Sequence, residues 1–178
     1  VLVTGNPSNT NALIAINNAP DLPSHCFAAM TMLDHTRALS QLAEKTGYNP
    51  QDIYRVCIWG NHSCSQYPDL RHVRFTQSLS IEHFDADWNL NVFIPTVQYR
   101  GTEIIKTRGQ SSAASAANAA LLHMKTWIEG TRDHDWVSMA VLSDGSYGID
   151  EGLVFSFPVQ VVGGKFQIVQ GIAIDEFS

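Results

Sequence analysis

The chain has 178 residues, of which 44% are hydrophobic and 16% are charged, and its formal net charge is -6 at pH 7. These values are typical of a folded domain with a hydrophobic core and exclude a disordered chain. The acidic balance excludes a nucleic-acid surface, which needs a basic stripe to neutralise phosphates. Three cysteines without a CxxC pair favour a reducing compartment, so we expect a cytoplasmic protein, and no apolar run approaches the ~20 residues of a membrane span.

The first part of the chain alternates predicted strands and helices. β-Branched residues before a Gly-Asn-Pro turn predict a strand, and Asn9 and Thr10 are suited to cap the helix that follows. An apolar stripe ending at Gly47 predicts a second helix, and a run rich in β-formers predicts a strand before Gly60. The predicted elements are a strand over residues 1–4, helices over 12–16 and 34–45, a strand over 53–59 and a weaker strand over 70–75.

The second part begins with two long predicted helices. The first covers residues 87–106 and is interrupted or kinked at Pro95, and the second covers 111–129 and ends at Gly130. Its many Ala and Ser residues predict close approach to a neighbouring helix. Strands are predicted over 136–142, 153–162 and 166–169, with Gly163, Gly164 and Lys165 as the turn of the last hairpin. The pattern predicts an α+β fold with a C-terminal antiparallel meander.

Two segments carry side chains suited to acid–base chemistry. His62 lies in a Gly-Asn-His-Ser loop directly after a predicted strand, where α/β enzymes tend to place reacting groups. Asp34 and Arg37 stand at i and i+3 of a predicted helix and therefore share one face. If the fold brings Asp34 to His62, the carboxylate would stabilise a protonated imidazole and fix its tautomer. A solvated histidine and a surface ion pair are the alternatives that spacing alone leaves open.

Other chemistry is less well supported by the residues. Asn6 follows Thr4 and Gly5 in a strand-end turn, where its amide either stabilises the turn or faces a ligand. The histidines form no HExxH motif, so we expect no metal site. Ser111, His62 and Asp34 leave a serine hydrolase formally open, although no GxSxG elbow is present.

Five segments in order resemble a known family across essentially the whole chain. They are VTGNPSNTNALIA, LDHTRALSQLA, IWGNHSCSQYPD, RGQSSAASAANAA and SDGSYGIDEGLVFSFPV. Together they resemble the malate dehydrogenases of the cytosolic and related bacterial type, within the lactate/malate dehydrogenase family. Met32 and Thr36 depart from that family's usual residues.

The resemblance implies an α+β fold like the lactate/malate dehydrogenase C-terminal domain, with the last strand of a Rossmann sheet at the N-terminus. It implies reversible NAD-dependent oxidation of (S)-malate to oxaloacetate, with His62 as proton donor and acceptor and Asp34 as its partner. Arg37 would hold the substrate carboxylate. Thr4, Gly5 and Asn6 would contact the cofactor, Asn6 would also contact substrate, and Ser111 would face the nicotinamide or substrate.

The resemblance also implies how much of such an enzyme is present. No GxGxxG fingerprint occurs, so we expect residues 1–20 to be the remnant of the NAD-binding domain. Residues 21–178 would be the substrate-binding and catalytic domain, without the family's final helix. The complete enzyme would be a homodimer, with no membrane or nucleic-acid partner. A catalytically inactive folded remnant, acting as a binding module, is the alternative.

Overall fold

A computed structural model describes residues 1–76 and 84–174. The strands are β1 (Leu2–Val3), β2 (Ala28–Ala29), β3 (Ile53–Tyr54), β4 (Cys57–Trp59), β5 (Tyr67–Asp69), β6 (Arg74–Phe75), β7 (Val137–Leu142), β8 (Val154–Val162) and β9 (Lys165–Ile168). The helices are α1 (Ser8–Asn17), α2 (Met32–Thr46), α3 (Ala86–Trp88), α4 (Ile94–Arg108) and α5 (Ala113–Glu129), and Asn89–Phe93 is a π-helical segment. Among the described residues, none of these helices is both long and apolar enough to cross a membrane. Residues 175–178, after which the family resemblance places a final helix, lie outside the described residues.

The main sheet has the strand order β1-β2-β7-β8-β9. β1 and β2 are parallel and are joined through α1, whereas β2 and β7, β7 and β8, and β8 and β9 are antiparallel. The predicted first strand and the C-terminal meander are therefore confirmed. β2 was not predicted, because its two alanines give neither alternation nor β-propensity.

Helix α2 lies at the centre of the packing. It contacts α5, α4 and β7. Its inner face contributes Ala38 and Leu42, both fully buried, to a cluster with residues of β3, β4 and α4. On another side, Met32 and Leu33 pack against Ala119 of α5, which confirms the close helix approach predicted from the small residues of α5. Burial on several sides fixes the orientation of α2.

The strand predicted over residues 53–59 is divided at Arg55, so the prediction of one strand was wrong. β3 pairs with β6 and β4 pairs with β5, in two separate two-stranded sheets. Arg55 has φ +60°, and its backbone N–H donates to Asp135 Oδ1 at 2.7 Å instead of joining a ladder. The strand predicted over 70–75 shrinks to β6, and β5 was missed.

The irregularity predicted at Pro95 lies in the turn directly before it. Asn89–Phe93 is π-helical and continues into α4 with helical angles, so the predicted long helix is interrupted by this one turn. A proline removes one backbone N–H and its ring crowds the preceding turn, which accounts for the change in helix type at this point. The other long helix, α5, begins two residues later than predicted and ends at Gly130 as predicted.

Candidate active site

His62 lies in a loop that the sheet holds at two points. β4 ends at Trp59, and Gly60 forms an isolated bridge with Ser156 of β8, with N···O distances of 3.2 and 2.8 Å. Gly60 adopts φ +96°, a conformation that side chains with a Cβ rarely adopt. The sharp turn after β4 therefore requires glycine, and it carries the chain directly to His62.

Asn9 holds the same loop from the opposite side. The His62 backbone N–H donates to Asn9 Oδ1 at 3.0 Å, and Asn9 Nδ2 donates to Val154 O at 3.0 Å. The prediction that Asn9 caps α1 was wrong, since no side chain caps this helix. Its amide is buried and ties α1, β8 and the His62 loop together. The partner is 53 residues away, so no local signal could have revealed this contact.

Asp34 is the buried centre of the site. It lies in the first turn of α2, where the helix dipole favours a carboxylate, and its side chain is 1% exposed. His62 Nδ1–H donates to Asp34 Oδ2. Arg37 Nη1 and Gln66 Nε2 donate to Asp34 Oδ1 at 3.4 and 3.2 Å. The predicted proximity of Asp34 and His62 is confirmed, and a surface ion pair is excluded because Asp34 is buried.

Arg37 faces the same cavity as His62, as predicted. Burial lowers the pKa of its guanidinium, an effect that Asp34 opposes and the nearby Arg100 reinforces. Only one N–H of Arg37 is directed to Asp34, at 3.4 Å, a length typical of a weak hydrogen bond. The remaining donors of its planar fork are suited to bind a carboxylate ligand in a bidentate manner.

The cavity beside these residues has a volume of about 280 Å³. It brings together the carboxyl end of β1, the first turns of α2, the His62 loop, α4 and the start of α5. Among the sequence-predicted residues, those that line it are Thr4, Asn6, Asp34, Arg37, His62 and Ser111. Gly5 is not among its lining residues; its carbonyl accepts a hydrogen bond from Asn11 Nδ2 at 2.9 Å.

Gln66 and Gln98 also line the cavity, and sequence reasoning missed both. Gln98 Nε2 donates to the backbone carbonyl of Gln66 at 2.6 Å. No sequence signal distinguished either glutamine, because their importance arises from contacts made in the folded protein. Among the described residues, no group of three His, Cys, Asp or Glu side chains is arranged to hold a metal ion.

His35, which follows Asp34 on α2, is directed away from the cavity and towards β7. Its Nδ1 lies 3.0 Å from Ser138 Oγ, and that oxygen accepts the Ile58 N–H at 2.9 Å. Burial lowers the pKa of His35 to about 4, so the ring is neutral at physiological pH. The Ser138 hydroxyl proton can then be donated to Nδ1, which connects α2, β4 and β7 in the core.

A family model described as the lactate/malate dehydrogenase alpha/beta C-terminal domain matches residues 31–178. The chain belongs to the lactate/malate dehydrogenase family. The resemblance noted in the sequence and the predicted fold class are both confirmed. The family match begins after β2, so β1, α1 and β2 precede it.

Relatives of this chain include bacterial malate dehydrogenases. The chain is 56% identical to one from Rhodococcus jostii and 56% identical to one from Cutibacterium acnes, in each case over 100% of this chain and 54% of the relative. The chain therefore spans about half the length of the curated relatives that it matches.

Solved structures of the family share this fold. The crystal structure of malate dehydrogenase from Naegleria fowleri has a TM-score of 0.93 at 51% identity, over 99% of this chain and 54% of that one. Trichomonas vaginalis lactate dehydrogenase, in complex with NADH and oxamate, has a TM-score of 0.94 at 37% identity, over 99% of this chain and 56% of that one.

Met32 and Thr36, which depart from the family's usual residues, lie outside the ionic part of the site. Met32 is buried against Ala119 and does not line the cavity with His62. The Thr36 hydroxyl donates to Leu33 O at 2.9 Å, within α2. Neither residue contacts Asp34 through a hydrogen bond among the described residues, so the departures leave the polar contacts of Asp34 intact.

Proposed function

We propose that this chain forms the substrate-binding and catalytic part of a malate dehydrogenase, which reversibly oxidises (S)-malate to oxaloacetate with NAD. The observation that carries the proposal is the hydrogen bond between Asp34 and His62 beside a cavity that Arg37 also lines. A ketone and its alcohol interconvert when a proton and a hydride are transferred. These three side chains supply a proton relay and an anchor for a carboxylate.

His62 acts as the general acid and base in this proposal. Its Nδ1–H is engaged by Asp34, which leaves Nε2 as the ring nitrogen for exchange with substrate. In malate oxidation, Nε2 accepts the proton of the C2 hydroxyl. In the reverse direction, the imidazolium returns that proton to the carbonyl oxygen, and the Asp34 carboxylate stabilises the positive ring. General acid–base catalysis of this kind contributes typically ~10²–10⁴-fold to the rate.

Arg37 is the proposed anchor for the carboxylate next to the reacting carbon. A guanidinium presents parallel N–H groups, so it fixes both the position and the orientation of a carboxylate. Asn6 is proposed to contact substrate, since it lines the same cavity and its amide can donate and accept. Ser111, also in the lining, is proposed to face the substrate or the nicotinamide.

Thr4, Gly5 and Asn6 are the proposed contacts for the nicotinamide end of NAD. They follow β1 at the carboxyl end of a parallel pair of strands, the edge at which nucleotide-binding sheets hold their ligands. When bound, NAD accepts or donates the hydride. The boundary predicted at residue 20 stays a prediction; the parallel β1–α1–β2 unit favours a nucleotide-binding portion that extends to β2.

The substrate is proposed to be malate rather than lactate. The two malate dehydrogenase relatives are 56% identical to this chain, whereas the Trichomonas vaginalis lactate dehydrogenase is 37% identical. A cytoplasmic location and a homodimeric complete enzyme are also proposed, on family resemblance.

Oxaloacetate-dependent NADH oxidation tests the function. We would measure it on the 178-residue chain and on a chimera that joins this chain to the part of the Rhodococcus jostii relative that it does not cover. We expect turnover by the chimera and none by the chain, because a pyrophosphate needs the backbone N–H groups of a glycine loop. Pyruvate in place of oxaloacetate is the control for specificity. If the chimera is folded but inactive, the result would favour the alternative that this chain is a catalytically inactive remnant acting as a binding module.

A serine hydrolase is the weaker alternative. Ser111 lines the cavity but, within residues 1–76 and 84–174, makes no hydrogen bond to His62. Nucleophilic serine needs such a contact to be activated by the ring. Labelling of Ser111 by a serine-directed phosphonate would favour this alternative over a dehydrogenase.

A further inference from the structure

Gln66 combines deep burial with an incomplete set of hydrogen bonds. It is 2% exposed, and its Nε2 donates to Asp34 Oδ1 at 3.2 Å. Its amide oxygen is buried and has no hydrogen-bond partner among the described residues. Burying an unpaired acceptor destabilises the folded state relative to a satisfied one. The amide oxygen therefore gives no reason for an amide at this position, whereas the N–H contact with Asp34 does.

The orientation of the amide follows from the charge of its neighbour. An ionised carboxylate only accepts hydrogen bonds, so the Gln66 NH₂ must face Asp34 Oδ1. The opposite orientation would place two acceptor oxygens against each other. Gln98 Nε2 donates to the backbone carbonyl of Gln66 at 2.6 Å. This hydrogen bond restrains the backbone from which the Gln66 side-chain amide extends.

The two oxygens of Asp34 have separate tasks in this arrangement. Oδ2 accepts from His62 Nδ1–H, while Oδ1 accepts from Gln66 and, at 3.4 Å, from Arg37. A donor on Oδ1 restricts rotation of the carboxylate and keeps Oδ2 directed at the ring. Arg37 is a poor substitute for this task, because its hydrogen bond to Oδ1 is long, at 3.4 Å.

We propose that Gln66 is a positioning residue that orients Asp34 and thereby fixes His62 in the Nδ1–H tautomer. The proposal rests on the proposed function, in which His62 must present an unprotonated Nε2 to the alcohol. Gln66 does not act on substrate; it acts through Asp34. Loss of its N–H would leave the carboxylate free to rotate, and neutral His62 would shift towards the Nε2–H form that a free imidazole prefers.

The test is the tautomer ratio of neutral His62, read from its ring ¹⁵N chemical shifts in the ¹⁵N-histidine-labelled 178-residue chain. His62→Gln assigns the signals. Gln66→Met keeps the length of the side chain and removes the donor. We expect the ratio of Nδ1–H to Nε2–H to fall roughly fivefold, as for the loss of one ordinary hydrogen bond. Gln160→Met is the matched control, because Gln160 Nε2 donates to Asp135 O, a contact that does not involve Asp34.

Each outcome decides the proposal. An unchanged ratio in folded Gln66→Met would overturn it, and a similar fall in Gln160→Met would overturn it as well. Gln66→Met removes an unpaired buried oxygen and also a donor to the buried Asp34 carboxylate, two opposing effects on stability, so the variant should remain folded. A variant that unfolds would make Gln66 structural and would also overturn the proposal. Because the measurement requires no cofactor, it remains decisive even if the chimera proves inactive with oxaloacetate.

Discussion

Consecutive residues of α2 are buried against different partners. The Asp34 side chain is 1% exposed, and a histidine, an arginine and a glutamine donate hydrogen bonds to its carboxylate. His35 is also buried, but among the described residues its ring contacts only the Ser138 hydroxyl through a hydrogen bond, and burial lowers its pKa to about 4. One helix therefore carries a carboxyl side chain with three donors towards the cavity and a neutral imidazole into the core.

The difference between Asp34 and His35 follows from the hydrogen-bond partners that surround each side chain. A buried charge is tolerated only when it is paired and hydrogen-bonded, and the cavity wall provides those partners for Asp34. The core beside β7 provides a neutral hydroxyl, so burial lowers the pKa of His35 to about 4. The comparison predicts that substitutions on the cavity side affect turnover, whereas substitutions on the core side affect stability.

The largest effect is expected at His62. His62→Gln in the chimera should lower the rate of oxaloacetate reduction by ~10²–10⁴-fold, because the proposed proton donor is lost. Its melting temperature should change little, since His62 lies in a loop at the cavity. His25→Gln, the same change at an exposed position, is the control. A loss of less than tenfold, below the ~10²–10⁴-fold that general acid–base catalysis typically contributes, would contradict the role proposed for His62.

Arg37→Lys should have the next largest effect. Lysine keeps the charge but loses the planar fork, so kcat/KM for oxaloacetate should fall by about 10²-fold, equivalent to roughly 2–3 kcal/mol of charge-assisted hydrogen bonding. Most of the loss should appear in KM if the fork binds ground state and transition state alike. Arg108→Lys at the exposed end of α4 serves as the control. Near-normal kinetics would make Arg37 a structural partner of Asp34.

On the core side, Ser138→Ala should destabilise the chain by about 2–4 kcal/mol, because it leaves the Ile58 N–H and His35 Nδ1 without their partner. Urea unfolding of the 178-residue chain measures this change. Ser40→Ala, on the exposed face of α2, should alter stability far less. Equal unfolding free energies for Ser138→Ala and Ser40→Ala would show that the hydroxyl bridge contributes nothing.

The smallest effect, counted per histidine and per pH unit, is a pH dependence of stability. Burial lowers the pKa of both His35 and His123 from 6.5 to about 4, so each binds a proton on unfolding at pH values between these limits. The contribution of each neutral ring is fully present above pH 6.5 and is lost as the pH falls towards 4, by about 1.4 kcal/mol per pH unit.

His123→Leu separates the two histidines. Both ring nitrogens of His123 are buried without a partner among the described residues, so leucine should be tolerated at neutral pH. The slope of unfolding free energy against pH between 5 and 6 should be shallower in the variant, in keeping with one fewer proton taken up on unfolding. An unchanged slope would contradict the buried, neutral state of His123.

Local sequence was sufficient where neighbouring residues determine the structure. The apolar stripe and Gly47 fixed the end of α2, and the alternation in β7, β8 and β9 predicted the meander. Where a distant partner determines the backbone conformation, the prediction failed. Arg55 leaves the extended conformation because its N–H meets Asp135, which lies 80 residues further along the chain.

The residue types and motifs of the sequence were sufficient to predict Asp34, Arg37 and His62 as the candidate reactive groups of this chain. Only the tertiary structure decided how they are held. Asn9 anchors the His62 loop and Gln66 contacts Asp34, across 53 and 32 residues of sequence. Amides carry no sequence pattern that marks such roles, because an amide acquires a role only when folding removes water and brings it to particular partners. The candidate reactive residues can therefore be predicted from the sequence, whereas the contacts that hold them depend on long-range packing.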